Sequence, residues 1–62
     1  MATEQFRIFR LVCRELDALK GRGVRVPKTA YVIADSEACE FYDGGMSVAE
    51  ISKFCISLAK AS

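Results

Sequence analysis

Two glycine breaks, Gly21-Arg22-Gly23 and Gly44-Gly45, divide this 62-residue chain into three segments, none longer than 20 residues. Glycine ends helices readily because it enters the left-handed backbone region without a Cβ clash. Each segment therefore has room for one helix or one short hairpin. A chain this short supports a single small core, which excludes a multidomain enzyme. Hydrophobic residues make up 52% and charged residues 27%, too apolar a balance for a disordered chain. The expectation is an all-α fold, a small three-helix bundle forming one domain over residues 1–62, with helices at 4–20, 28–43 and 47–60.

The periodicity of each segment supports that reading. Thr3 is a suitable N-cap for the first helix. At about 100° per residue, Phe6, Ile8, Phe9, Val12, Cys13, Leu16 and Leu19 fall in one arc of about 160°. Arg7, Arg10 and Arg14 flank that arc, and Leu11 lies outside it, exposed on a monomer. Pro27 suits the first helical position of the second segment. Beyond it, Ala30, Tyr31, Ala34, Ala38, Phe41 and Tyr42 share one side of the wheel, opposite Thr29, Ser36, Glu40 and Asp43. The alternative for 24–33 is a short hairpin, since Val24, Val26, Tyr31 and Ile33 favour strands. Ser47 followed by Glu50 is a capping box at the start of the third helix, whose arc of about 140° holds Val48, Ile51, Phe54, Cys55, Leu58 and Ala59.

Charge is distributed unevenly along the chain. Residues 1–28 carry seven basic and three acidic side chains, net +4, and residues 29–62 carry two basic and five acidic, net −3. The two halves can neutralise each other within the fold, or the first can present a basic face to an anionic partner. Cys13, Cys39 and Cys55 are odd in number, lack CxxC spacing and have no histidine beside them. Neither a disulfide framework nor an ordinary zinc site is available to them, and a reducing cytoplasm is the expected compartment. The arginines interrupt the first apolar stretch, unlike a signal peptide, and no apolar run reaches the roughly 18 residues of a membrane span. No cofactor or metal is expected.

Catalysis finds little support in these residue types. A cysteine nucleophile needs a neighbour that lowers its pKa, and all three cysteines sit in or beside apolar arcs. Glu37, Glu40 and Asp43 could offer carboxylates to a hard cation or to acid/base chemistry, but such spacing also describes a solvated helix face. The segment Gly45-Met46-Ser47-Val48-Ala49-Glu50-Ile51-Ser52-Lys53-Phe54 resembles the G-x-S-x-x-E-I opening of the first helix in many bacterial helix-turn-helix repressors and resolvases. That resemblance implies a turn and a recognition helix after Phe54, whereas residues 55–62 contain no turn glycine. In a variant register, 28–43 supports and 47–60 reads, with Ser47, Glu50, Ser52, Lys53, Ser57 and Lys60 exposed.

The leading expectation is a non-enzymatic regulator, adaptor or inhibitor of bacterial or phage type that acts by protein–protein binding, as a homodimer. Its docking candidates are Arg7, Arg10, Leu11, Arg14, Tyr31 and Tyr42, because aromatic residues and arginine dominate interface energetics. The alternative is a dimeric helix-turn-helix-like DNA-binding regulator using Arg22, Arg25, Lys28, Ser47, Lys53 and Lys60. A cysteine-dependent enzyme or redox sensor is a third reading, and it requires one exposed, acidic thiol.

Overall fold

The computed structural model describes residues 3–61. They form three helices, α1 (Thr3–Gly21), α2 (Lys28–Asp43) and α3 (Val48–Ala61), joined by loops 22–27 and 44–47. Among the described residues there is no strand, so the hairpin considered for 24–33 does not form. A two-stranded ribbon is marginal in water, whereas the helical path buries Ala30 and Ala34 against the rest of the bundle. Pro27 is the N-cap of α2, one position earlier than the first helical residue. The cap expected of Thr3 lies outside the described side chains.

Both glycine breaks close their helices in the same way. Val24 N–H donates to Leu19 C=O at 3.0 Å and Gly23 N–H to Lys20 C=O at 3.1 Å, with Gly23 at φ 93°. Met46 N–H donates to Phe41 C=O at 3.1 Å and Gly45 N–H to Tyr42 C=O at 3.0 Å, with Gly45 at φ 103°. Each is a Schellman motif, in which a left-handed glycine turns the chain back so that otherwise orphaned carbonyls are satisfied. The capping box then starts α3. Ser47 N–H donates to Glu50 Oε1 at 2.9 Å and Glu50 N–H to Ser47 Oγ at 3.2 Å.

Short loops make successive helices antiparallel. Tyr31 at the start of α2 donates its hydroxyl to Asp17 near the end of α1, at 2.6 Å. Between α2 and α3, the Phe41 and Phe54 rings meet edge to face at 5.2 Å. The core takes Ile8, Val12 and Leu16 from α1, Ala30, Ala34 and Ala38 from α2, and Ile51, Cys55, Ile56 and Ala59 from α3. At its fully buried positions α2 contributes only alanine, and its larger apolar side chains Tyr31, Ile33 and Phe41 are half-buried beside the core.

Burial corrects the wheel arcs on every helix. Phe6 and Tyr42 are exposed rather than buried, and Leu11 is half-buried rather than exposed. In α3 the buried set is rotated by about 60° from the most apolar arc, at 100° per residue. Phe54 is thereby moved to the rim, while Ile56 and Ser52, the latter expected on the exposed face, are inside. Ser52 tolerates this position because its hydroxyl donates to Val48 C=O at 2.9 Å, with Val12 C=O of α1 at 3.5 Å. A polar group is thus buried with its hydrogen bond intact.

Candidate functional site

The outer side of the α1–α2 layer, away from α3, is where exposed apolar and charged residues gather. On α1 the exposed positions there are Phe6, Arg10, Arg14 and Asp17, and on α2 they are Lys28, Val32, Asp35 and Tyr42. Phe6 is 59% exposed, Val32 63% and Tyr42 44%. The Arg10 guanidinium carbon lies 5.9 Å from the centre of the Phe6 ring, a cation–π arrangement that holds the flexible arginine over an aromatic surface. Arg7 continues the stripe toward the start of α1, and Arg7 to Arg14 spans about 10 Å at 1.5 Å per residue.

Asp17 meets Tyr31, and the same antiparallel alignment sets Arg14 level with Asp35 and Phe6 level with Tyr42. Of the expected docking residues, the structure therefore brings Arg10, Arg14, Tyr31 and Tyr42 to one side. Arg7 adjoins them, and Leu11 turns toward the α3 flank. Tyr31 and Tyr42 point the same way from α2 but are about 16 Å apart along it. The Tyr31 hydroxyl is already committed: the hydrogen bond it donates to Asp17, followed by burial and the Asp17 charge, pushes its pKa up to about 12. Sequence periodicity places Phe6 in the buried arc and leaves Val32 out of the docking set. Phe6 sits at the edge of its arc next to Arg10, and Val32 is a β-branched residue on the polar side of α2, both of which are signals present in the sequence.

The second candidate set is divided between two ends of the bundle. Alternating helix direction brings Arg22, Arg25 and Lys28, together with Lys20, beside Lys60 at the end of α3, and all five are exposed. Ser47 lies at the other end of α3, about 21 Å away along a helix of 14 residues. Lys53 is exposed between them. The turn that the repressor-like segment implies after Phe54 is absent, since α3 runs unbroken through Ala61. In the variant register, with α2 as support, the two helices are joined by the four residues 44–47. Its leading turn carries Glu50, whose carboxyl is held below its ordinary range by the Ser47 backbone N–H, then by the Ser47 side chain and by Lys53.

The thiols are set for packing. Cys55 is fully buried, and burial, then the charge of Glu37, raises its pKa. Cys13 is half-buried, and burial, then Asp17 and Asp35, raises its pKa as well. Both shifts favour the unreactive thiol over the thiolate. Among the described residues no group of three or more His, Cys, Asp or Glu is placed to hold a metal ion, and no helix is long and apolar enough to cross a membrane. No family model matches the chain, and no curated protein or solved structure matches it.

Proposed function

We propose that this chain is a non-enzymatic interaction protein, a regulator, adaptor or inhibitor, that works as a homodimer and docks through the outer face of α1 and α2. The observation that carries the reading is the exposure of Phe6 and Tyr42 on that face, with Arg10 over the Phe6 ring, and of Val32 about 15 Å further along α2. Aromatic residues and arginine supply most of the energy of protein interfaces, and apolar side chains left on a small domain gain by being covered. The raised thiol pKa values and the absence of histidine fit a non-catalytic role. Sedimentation equilibrium tests the reading: concentration-dependent self-association is expected, and a strict monomer across the micromolar range would sink it.

One observation favours a second reading, binding to a nucleic-acid backbone. The basic end formed by Lys20, Arg22, Arg25, Lys28 and Lys60 concentrates five cations, each able to displace a counterion from phosphate. Fluorescence anisotropy of a labelled random duplex separates the two readings. Binding that weakens steeply between low and physiological salt, and is lost in Arg22→Glu/Arg25→Glu, would put this second reading first.

A further inference from the structure

Charge separates more sharply by position in the fold than by position along the chain. The Tyr31–Asp17 bond fixes the level of α1 against α2, and counting from it along antiparallel helices sets Lys28 level with Lys20. Ser52 meets Val12, and counting from that pair along the parallel helices α1 and α3 sets Lys60 at the same level. One exposed lysine from each helix thus rings one end of the bundle, and the loop beyond adds exposed Arg22 and Arg25. No Asp or Glu occurs between Asp17 and Asp35 or after Glu50, so no acidic side chain stands among these five cations. The end continues into a strip along α1. At about 100° per residue, Arg7, Arg10 and Arg14 centre on the ridge opposite buried Val12, directed away from the core. Among the described side chains Asp17 is the one exposed acid on that strip, with the Tyr31 hydroxyl on its carboxylate, and Asp35 and half-buried Glu15 lie off it to either side. Strip and end together hold eight cations and Asp17, a net +7. Past Lys28 on α2 and before Lys60 on α3 the balance reverses to five acids and one cation, Lys53, a net −4. The three helix ends that meet beside the lysines add only about −0.5.

We propose that the α1 arginine strip and the basic end form one continuous site for a nucleic-acid duplex, held by its phosphates without base contacts, with the acidic side of α2 and α3 turned away from it. The inference rests on the second reading of function above and adds the form of the nucleic acid and the part α1 plays in holding it. The chemistry of the surface selects the partner. Beyond the level of Lys20, Val24 at 38% exposed is the only large apolar side chain on the surface among the described residues. A protein interface draws its energy from aromatic anchors, and a lipid surface takes up apolar side chains, so this end offers little to either. Single strands bind by stacking bases on aromatic rings. The exposed aromatics nearest the strip, Phe6 and Tyr42, stand together at its far corner rather than along it. What the surface does offer is dense positive charge, and a duplex, with one phosphate per roughly 1.7 Å of its axis, is a polyanion that charge alone can hold. From Arg7 to Arg22 the site is about 22 Å long, enough to lie along six base pairs at about 3.4 Å each.

The test titrates the full chain into labelled duplexes of several unrelated sequences across a range of salt, beside the variant Arg7→Gln/Arg14→Gln, with circular dichroism confirming that the variant is folded. Each phosphate contact contributes about −0.9 to the slope of log affinity against log salt, so the five cations of the end alone can give no more than about −4.5. The parent should show a steeper slope, toward about −7 for eight contacts, and affinities that agree across sequences. The double variant should have a slope shallower by about 1.8, with the loss equal for every sequence. A double variant that keeps the parent's slope and affinity confines binding to the end of the bundle, which overturns this inference and leaves the second reading standing. Affinity that depends on sequence, or a single strand that binds as tightly as the duplex, overturns the phosphate-held duplex in the same way. A parent that binds no duplex even at low salt, whether or not it sediments with vesicles containing phosphatidylserine, overturns both.

Discussion

Ser47 and Glu50 show how much two side chains can settle between themselves. Each satisfies the other's free backbone N–H at the start of α3, and the spacing alone predicts both bonds. Ser47→Ala should cost about 1 kcal/mol in chemical denaturation. Glu50 has its carboxyl pKa lowered in the folded state, so its contribution is present above the ordinary glutamate range and is lost as pH falls through the folded value. Glu50→Gln should therefore flatten the acid side of a stability-against-pH curve. Tyr31 behaves in the opposite sense. Its folded pKa of about 12 lies above the ordinary value of roughly 10, so its contribution is complete below pH 10 and is lost as pH rises toward 12. Spectrophotometric titration should show a late tyrosine ionisation that disappears in Tyr31→Phe. No sequence pattern announces the Tyr31–Asp17 bond, because it joins residues on different helices. Polarity likewise misplaces Ser52, whose hydroxyl is satisfied within its own helix by Val48.

Helix breaks and caps are legible along the chain, and the helix boundaries follow from them. Glycine pairs and the capping box act within a few residues, and local backbone chemistry decides where a helix can start and stop. What the pairs conceal is the division of labour between adjacent glycines. Gly45 has φ 103°, whereas Gly44 is in the right-handed helical region and a Cβ there would come no closer than 3.4 Å to the Phe41 carbonyl oxygen. Gly45→Ala should destabilise by roughly 1 kcal/mol or more, and Gly44→Ala should be close to neutral, as compared by thermal denaturation. Which face each helix buries is less legible. The most apolar arc of α3 puts Phe54 inside and leaves Ile56 out, and packing reverses them.

Across the bundle, the alanine face of α2 controls how closely the helices pack. Ala34→Leu should force them apart and cost on the order of 1–3 kcal/mol, measured by urea denaturation. Cys55 sits in the same interior, so its thiol should react with a disulfide reagent only as fast as the bundle opens. The candidate face exists only once the helices are assembled. Its arginines can be read from the sequence, but the company they keep cannot, since Phe6 comes level with Tyr42, and Arg14 with Asp35, only through the alignment of two helices. The number of helices, their approximate limits, the two glycine ends and the Ser47–Glu50 capping box follow from the order of residues alone, because they depend on interactions between positions a few apart. That Ser52 is inside, that Phe6 is outside and that Arg14 of α1 comes level with Asp35 of α2 follow from assembly. Those outcomes depend on how each helix is rotated against its neighbours, and that rotation is set by the shapes of all three together.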